Sequence, residues 1–268
     1  MGRLEGKVVF LTGAGAGIAK ATAKMCVREG AGVAICELNR EAGERAEREI
    51  RDAGGNALFV QTDVTQDDSV RDAIAATVKH FGKLNVLFNC AGGSSQDDRP
   101  VHEMDLDVWH KTVALNLLHP FLTCRHGIPH MIKAGGGSIV NVTSHLGLVG
   151  SLKPAYAATK GGIISFTKTL AAQYFQYGIR ANAVAPGSVR TDRQIARYET
   201  KEFVEKSNAA AKERAVFQKL YPYSRGEPDD IAAIAVFLAS DESRMLTGTT
   251  IAADGGRSSY LKVYAGEG

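Results

Sequence analysis

Short apolar runs alternate with longer helix-forming segments along the whole chain. The strand-like runs are almost wholly aliphatic rather than alternating apolar and polar, as in VVFLT at 8–12 and VLFN at 86–89. A strand that is apolar on both faces is typical of a parallel sheet that helices cover on both sides. Successive parallel strands need helical crossovers, which are right-handed. The order of elements therefore predicts an α/β fold with one doubly wound parallel sheet of about seven strands and helices on both faces.

The pattern also sets approximate boundaries for these elements. The predicted strands are Lys7–Thr12, Gly32–Cys36, Ala57–Gln61, Val86–Asn89, Ser138–Val142, Arg180–Ala185 and Thr249–Ala252. The predicted helices lie near 17–29, 41–53, 67–80, 105–133, 154–177 and 228–239. Asn39 precedes an acidic first turn as an N-cap, and Thr65 to Asp68 have the spacing of a capping box. No internal repeat or low-complexity linker interrupts the pattern, so residues 1–268 are predicted to form one domain.

One segment, from Gly187 to Glu227, departs from this rhythm. It is charged and helix-forming, with nine Lys and Arg against six Asp and Glu. An insertion after the sixth strand lies over the carboxyl ends of the strands, where ligands bind in open α/β sheets. We predict that residues 187–227 form a substrate lid.

Composition excludes several functional classes. The net charge of +3 is too small for a nucleic-acid-binding protein, which needs a clustered basic face. No apolar run approaches the length of a membrane span, and the first residues do not resemble a signal peptide. The four cysteines are scattered, with no CxxC pair and no nearby histidine to suggest a metal site. We therefore expect reduced thiols, no bound metal and a cytoplasmic location.

The first strand runs into a glycine-rich loop, TGAGAGIA at 12–19, and a helix follows at once. Glycines at a strand–helix junction let backbone amides approach a pyrophosphate, to which the helix N-terminus adds partial positive charge. Gly13, Gly15 and Gly17 are thus predicted to bind a dinucleotide in a Rossmann-type domain. An ordinary glycine-rich turn is the alternative.

The choice of cofactor depends on Glu37, at the end of the second strand and 24 residues after Gly13. A carboxylate there accepts hydrogen bonds from the adenosine ribose and repels a 2′-phosphate, which favours NAD over NADP. Arg40 is the opposing observation, because it could reach a 2′-phosphate. Asp63, after the third strand, could bind the adenine amino group or simply begin a turn. The small residues of Asn89–Gly92 allow a cofactor to approach closely, or form a tight turn.

Tyr156 and Lys160 share one helix face, four residues apart. Because the chain holds eight tyrosines, such a pair can arise by chance, so its setting matters. The pair comes after the fifth strand, and Thr143 and Ser144 immediately follow that strand. A phenol, an ammonium group and a hydroxyl are therefore expected at the same edge of the sheet.

Taken together, these motifs resemble the single-domain branch of the short-chain dehydrogenase/reductase family that carries a YxxxK motif. The resemblance rests on the glycine loop, DV at 63–64, NCAG at 89–92, Asn116, IVNVTS at 139–144, YAATK at 156–160, IRANAVAPG at 179–187 and ADGG at 253–256. These motifs occur in the family's order and span nearly the whole chain.

The resemblance implies an oxidoreductase that moves hydride between a nicotinamide cofactor and a secondary alcohol or ketone. Tyr156 would transfer the proton, Ser144 would hold the reacting oxygen, and Lys160 would favour the phenolate and bind the nicotinamide ribose. Asn116 would hold a water that links Lys160 to solvent. The same resemblance implies a homotetramer. It also implies cofactor contacts from Ile18, Val64, Ala91, Gly92, Pro186, Gly187, Val189 and Thr191.

Two positions depart from the family pattern. Ala19 replaces the last loop glycine, which the dinucleotide fingerprint tolerates. The gap of 12 residues from Ser144 to Tyr156 is one short of the family's, so Thr143 stands as an alternative to Ser144.

The substrate is the least constrained feature. We expect Gln96, Arg99, His145 and Lys153 to join Ser144 around it. The basic insertion favours a small polar molecule such as a sugar, polyol or hydroxy acid. The alternatives are a 3-ketoacyl-carrier reductase that uses NADPH and a non-catalytic NAD-binding protein.

Overall fold

The computed structural model describes residues 2–198 and 223–259, and seven strands within them form one parallel sheet. These strands are β1 (Val8–Thr12), β2 (Gly32–Glu37), β3 (Ala57–Gln61), β4 (Val86–Asn89), β5 (Gly137–Val142), β6 (Ile179–Pro186) and β9 (Thr250–Ala253). Two short strands, β7 (Ser188–Val189) and β8 (Arg225–Gly226), pair separately. The helices are α1 (Gly17–Arg28), α2 (Arg40–Asp52), α3 (Asp67–Phe81), α4 (Leu106–Val113), α5 (His119–Lys133), α6 (Pro154–Tyr174), α7 (Asp192–Tyr198) and α8 (Pro228–Ala239).

The order of strands across the sheet is β3-β2-β1-β4-β5-β6-β9, and every neighbouring pair is parallel. The chain proceeds outward in one direction from β1 to β3 and then crosses back to β4. A crevice therefore opens between the carboxyl ends of β1 and β4, the switch point at which open α/β sheets bind ligands. The predicted doubly wound α/β fold is confirmed.

Helices cover both faces of the sheet because the strands carry apolar side chains on both. In β1, Val9 and Leu11 join a buried cluster with residues of α1, α2 and α8. Phe10, between them, points to the opposite face and packs with residues of α3, α5 and α6. Each fully buried side chain of this kind contributes roughly 1.5–3 kcal/mol, so the pattern fixes the register of β1.

The helix predicted near 105–133 contains a wider π-helical turn over Ala114–Leu118, between α4 and α5. Here the amide of His119 bonds the carbonyl of Ala114, five residues back. The side-chain amide of Asn116 donates to the carbonyl of Thr112 at 3.0 Å. Such turns are often found at functional sites. In this one, Asn116 is the buried residue.

One of the two predicted helix caps is confirmed. The Asn39 side chain accepts a hydrogen bond from the amide of Ala42 at 3.0 Å. The capping box at Thr65 is wrong: α3 starts one residue later, and no side chain caps it. The carboxylate of Asp63 instead accepts from both the amide and the hydroxyl of Thr65, at 2.9 and 2.7 Å, and so binds the groups that the capping box would have used.

The segment predicted as a lid starts and ends in a short parallel ladder. Ser188 pairs with Arg225 and Val189 with Gly226, and α7 follows the first of these strands. Most of the intervening segment, 199–222, lies outside the described residues. Among the helices of the described ranges, none is long and apolar enough to cross a membrane.

Candidate active site

The glycine loop adopts a conformation that side chains would obstruct. Gly13 and Gly17 have φ angles of +69° and +56°, in the left-handed region that favours glycine. A Cβ at Gly13 would lie 3.0 Å from the Cα of Ala91, and one at Gly15 would lie 2.8 Å from Glu37 Cγ. The loop therefore fits tightly against β2 and the end of β4, with its backbone exposed on the other side.

A cavity of about 620 Å³ opens beside this loop, at the carboxyl ends of β1 to β4. Its wall includes Gly13, Gly17, Ile18, Glu37, Asp63, Val64, Ala91, Gly92 and Thr191, all of which were predicted to contact the cofactor. Gly15, also predicted to contact the cofactor, is buried with its amide bonded to Glu37 at 3.3 Å and does not line the wall, and neither does Asn89. The side-chain amide of Asn89 donates to Asn141 at 2.8 Å and its oxygen accepts from Thr123 at 2.7 Å, so it joins β4 to β5 and α5.

The first turn of α1 is free to bind an anion. No side chain caps the helix, and its first turn contains no acidic residue. The amides there would otherwise need a partner, and a pyrophosphate oxygen supplies one together with favourable helix-dipole charge. The open glycine backbone and the uncapped helix thus fit a dinucleotide pyrophosphate.

Glu37 lines this cavity at the end of β2. Its carboxylate accepts from the amide of Gly15 at 3.3 Å and from the amide of Asn39 at 3.1 Å. Arg40, the opposing residue, is engaged elsewhere: it donates to Gln61 at 2.8 Å and pairs with Glu44 at 3.5 Å. The negative group therefore lines the cavity, and the positive one does not.

Asp63 forms the turn that was predicted as the alternative, and it also lines the cavity. Its side chain lines the cavity, and the same carboxylate accepts hydrogen bonds from the amide and hydroxyl of Thr65 at 2.9 and 2.7 Å. These bonds form the turn that was the alternative prediction. They also fix the carboxylate at the cavity wall.

Ser144, Tyr156 and Lys160 line an adjoining cavity of about 330 Å³. We call it the catalytic cavity, and we call the cavity beside the glycine loop the dinucleotide cavity. Ser144 follows β5, and the other two lie one turn apart at the start of α6. The Lys160 ammonium lies 5.7 Å from the centre of the Tyr156 ring and donates to the carbonyl of Val142 at 2.8 Å. A hydroxyl, a phenol and an ammonium group thus line one small cavity beside the dinucleotide loop.

The geometry favours Ser144 over Thr143 as the hydroxyl partner. Thr143 is buried, and its hydroxyl donates to the carbonyl of Lys160 at 2.6 Å, which holds α6 against β5. Ser144 is close enough to the Tyr156 phenol for a hydrogen bond that lowers its pKa.

The electrostatics of the protein alone differ from the prediction. Burial raises the pKa of Tyr156, and the Ser144 hydrogen bond and the Arg193 charge only partly offset this effect. The expectation that Lys160 favours the phenolate is not met here. Burial also lowers the pKa of Lys160 to about 8, so removal from water pushes both groups toward their neutral forms.

Asn116 is bonded to the loop that follows β4. Its side-chain oxygen accepts from the amide of Gly93 at 2.9 Å, and its nitrogen donates to the carbonyl of Gly93 at 3.1 Å. A Cβ at Gly92 would approach both the Asn116 oxygen, at 2.6 Å, and the Lys160 nitrogen, at 3.3 Å. Asn116 therefore lies near Lys160 and binds the Gly93 backbone of the cavity wall, but it does not line the cavity itself.

The predicted substrate residues divide into two groups. His145 and Lys153 line the catalytic cavity, whereas Gln96 and Arg99 do not. Arg99 is exposed and lies 3.8 Å from Asp97, and the carbonyl of Gln96 accepts from the Lys153 ammonium at 3.4 Å. Pro186, Gly187, Val189 and Thr191 line the same cavity, in agreement with the predicted nicotinamide segment.

Sequence reasoning missed a buried contact behind the cofactor loop. The Thr12 hydroxyl oxygen accepts from the amides of Cys90 and Ala91, at 3.0 and 3.2 Å, and lies 2.9 Å from His119 Nε2. With both lone pairs used, the Thr12 hydroxyl donates to His119. Burial lowers the pKa of His119 to about 3, so the ring is neutral and suited to accept. This contact ties the end of β4 to the end of β1.

Two further residues were also missed. Asp98 is buried and binds the start of α6, and Arg193, on α7, lines both cavities. No local pattern marks either of them, because each acts on a segment far away in the sequence.

Comparisons with known proteins agree with this geometry. A family model described as enoyl-(acyl carrier protein) reductase matches residues 13–258. Cis-4-hydroxycyclohexanecarboxylate dehydrogenase of Sinomonas cyclohexanicum is 37% identical over 252 residues, which cover 93% of this chain and 96% of the relative. The 2,5-dichloro-2,5-cyclohexadiene-1,4-diol dehydrogenase of Sphingobium indicum is 37% identical over 255 residues, which cover 95% and 97%.

Solved structures agree as well. The crystal structure described as a short-chain dehydrogenase/reductase from Burkholderia xenovorans matches with a TM-score of 0.89 and 33% identity, covering 98% of this chain and all of that one. The chain belongs to the short-chain dehydrogenase/reductase family, a class of oxidoreductases that generally use NAD or NADP.

Proposed function

We propose that this protein is an NAD-dependent dehydrogenase that oxidises a small polar secondary alcohol to a ketone, with Tyr156 as the proton-transferring residue. One observation carries the proposal: Ser144, Tyr156 and Lys160 line one cavity, and this cavity adjoins the glycine loop and the uncapped first turn of α1. A purely NAD-binding protein has no need for a phenol, a hydroxyl and an ammonium group in that arrangement.

NAD is the favoured cofactor because of Glu37. Its carboxylate lines the adenosine end of the cavity, where it would accept hydrogen bonds from both ribose hydroxyls and repel a 2′-phosphate. Arg40 is held by Gln61 and Glu44 and so does not compensate that repulsion.

The residues of the catalytic cavity have separate tasks. When bound, the nicotinamide supplies a hydride acceptor or donor next to the reacting carbon. Ser144 would hold the substrate oxygen, and Tyr156 would take the hydroxyl proton during oxidation or return it during reduction. Because burial raises the pKa of Tyr156, the phenolate needs positive charge nearby, and Lys153, Lys160 and Arg193 are the cations in the described wall of this cavity. Asn116 would hold the water that links Lys160 to solvent.

The relatives support a cyclic alcohol within the predicted polar class. One of them acts on cis-4-hydroxycyclohexanecarboxylate and another on a chlorinated cyclohexadiene diol. A ring of six carbons that bears a hydroxyl fits a cavity of about 330 Å³. Sugars, polyols and hydroxy acids remain in the proposed class, and His145 and Lys153 would contact their polar groups.

We further propose that the whole chain acts as one catalytic domain, with 187–227 as the substrate lid. A homotetramer follows from the family resemblance, and the exposed Leu118, just before α5, and Phe121 on α5 support an assembly through that helix. The cytoplasmic location stays a prediction from the scattered cysteines, which are all unpaired.

The competing function is a carrier-linked reductase that uses NADPH, which the description of the matching family model favours. A single screen separates the two. Cyclic and open-chain secondary alcohols, each as the free acid and as the uncharged carboxamide, are assayed with NAD by the absorbance of the reduced nicotinamide. An acetoacetyl thioester is assayed in parallel with NADPH. Turnover of alcohols with NAD supports the proposal, and turnover of the thioester alone would replace it with the carrier-linked function.

A further inference from the structure

Arg193 stands at the junction of the two cavities. It is exposed, lies on α7, and lines both the dinucleotide cavity and the catalytic cavity. Its two terminal nitrogens donate to backbone carbonyls, Nη1 to Gly92 at 3.1 Å and Nη2 to Ser94 at 3.0 Å. The guanidinium group therefore joins the lid helix to the loop after β4.

The contacts of Arg193 place its charge on the catalytic side. Ser94 lines the catalytic cavity and not the dinucleotide cavity, and the same is true of Gly93, where a Cβ would collide with the guanidinium group. The residue of this segment that approaches the glycine loop is Thr191, whose methyl group would lie 3.2 Å from a Cβ at Gly17. Arg193 is thus farther along, toward Tyr156, whose pKa its charge lowers.

In the part of the chain that the structure describes, no carboxylate neutralises the charge of Arg193. Both of its hydrogen bonds go to neutral carbonyls, and within 2–198 and 223–259 no acidic residue forms an ion pair with it. The described wall of the catalytic cavity contains three cationic side chains, Lys153, Lys160 and Arg193, and no aspartate or glutamate. A small cavity of this composition has a positive potential that favours an anion.

The other two cations are already engaged. Lys153 donates to the carbonyl of Asp98 at 2.9 Å, and Lys160 donates to the carbonyl of Val142 at 2.8 Å. A guanidinium group carries five N–H donors, of which these carbonyl bonds use two, so Arg193 retains enough to bind both oxygens of a carboxylate.

We propose that Arg193 determines substrate specificity by binding a carboxylate of the substrate, so that the enzyme acts on hydroxy acids in preference to their uncharged analogues. This inference rests on the proposed function and narrows its substrate class. The carboxylate would bind the guanidinium group and the secondary hydroxyl would bind the Ser144–Tyr156 pair, since all three residues line the same cavity.

The test compares acid and carboxamide forms of the same alcohol in the wild-type enzyme and in R193M and R193K. We expect R193M to lower kcat/KM for the acid about 30- to 100-fold more than kcat/KM for the carboxamide, as for a lost hydrogen bond to a charged group. The fall for the carboxamide measures the separate effect of losing the positive charge near Tyr156. R193K keeps the positive charge but cannot form two parallel hydrogen bonds to a carboxylate, so its kcat/KM for the acid should lie between those of the wild type and R193M. R71Q, which removes an exposed arginine of α3, is the matched control.

A binding measurement makes the test independent of turnover. Cyclohexanecarboxylate, which has no hydroxyl to oxidise, is titrated calorimetrically into the complex with NADH, and NADH alone is titrated into each variant. We expect R193M to abolish carboxylate binding and to leave NADH affinity unchanged. Loss of NADH affinity would instead assign Arg193 to the pyrophosphate and overturn the inference.

The two proposals fail in different ways. If alcohols are oxidised with NAD but acids are no better than carboxamides, the role of Arg193 is wrong and the proposed function stands. If no alcohol is oxidised while NADH and cyclohexanecarboxylate still bind, and R193M abolishes carboxylate binding, the proposed function is wrong and the anion site stands.

Discussion

The carboxylate of Asp98 accepts a hydrogen bond from the backbone amide of Tyr156 at 3.0 Å, although 58 residues separate them in the sequence. Its other oxygen accepts from the amide of Ala155 at 3.1 Å. These amides belong to the first turn of α6 and have no partner within the helix. Asp98 therefore caps the helix that carries Tyr156 and fixes where that helix begins.

We expect D98A to lower kcat about 100-fold, because a displacement of the proton-transferring group by about 1 Å has an effect of that size. D98N keeps one acceptor oxygen and should recover part of the activity. The measurements are kcat, the affinity for NADH and the thermal midpoint. Asp98 would have only a structural role if D98A lowered the thermal midpoint but kept the wild-type kcat.

The hydroxyl of Ser144 should set the pH dependence of alcohol oxidation. The Ser144 hydroxyl lowers the pKa of Tyr156 by hydrogen bonding to the phenolate, whereas burial raises it. Without the hydroxyl, the effect of burial is less offset and the pKa of Tyr156 rises. In S144A, the rise of kcat/KM with pH should move to more alkaline pH, and kcat should fall about 100-fold. T143A, which breaks the bond to the Lys160 carbonyl, should reduce stability without moving the profile. The reverse pattern would make Thr143 the catalytic hydroxyl.

Glu37 should control the choice between NAD and NADP. Replacement by serine removes the charge that repels a 2′-phosphate, so we expect E37S to weaken NAD binding and to strengthen NADP binding, each about tenfold. E41S, on the first turn of α2, is the control for a general change of charge. Tighter binding of NADP than of NAD by the wild-type enzyme would contradict the account.

Lys160 should destabilise the cofactor-free protein at neutral pH. Its folded pKa, about 8, lies below the ordinary value of 10.5 because the ammonium is buried. Below pH 8, Lys160 is protonated in both the folded and the unfolded protein, so folding carries the full free-energy cost of burying the ammonium. Between pH 8 and 10.5, the folded protein loses this proton first and the cost is progressively relieved.

We therefore expect K160M to unfold with a free energy about 1–3 kcal/mol higher at pH 7, with the difference shrinking toward pH 10. Denaturant unfolding at several pH values measures it. K168M, which removes an exposed lysine of the same helix, should show no such trend. A destabilised K160M at neutral pH would mean that the bond to Val142 outweighs the buried charge.

Most of the sheet could be predicted from the sequence because apolar runs report directly on burial. The predicted strands agree with the structure to within about one residue at each end, as expected for strands that lie wholly in the core. The apolar pattern does not reveal the wider turn at Ala114–Leu118, because its buried residue, Asn116, is polar. The capping box at Thr65 was misjudged because Asp63, outside the motif, competes for the hydroxyl.

The candidate site was predictable where one local motif supplies the group and not where the fold brings distant groups together. The glycine loop, Ser144 and the pair on α6 each belong to a short motif at a strand end. Asp98 and Arg193 act across 58 and about 100 residues, respectively, and nothing next to them in the sequence marks that reach. Gln96 and Arg99 were chosen from the right loop, but its neighbour Asp98 is the residue that turns inward.

The central claim is that Tyr156 transfers the proton while the dinucleotide loop holds the cofactor. It is tested most directly by single-turnover measurement of NADH formation in Y156F, with Y174F of the same helix as the control. Phenylalanine keeps the ring and removes the hydroxyl, so we expect hydride transfer to slow about 1,000-fold or more, with NADH affinity within about threefold of the wild type. Wild-type rates of NADH formation in Y156F would contradict the account.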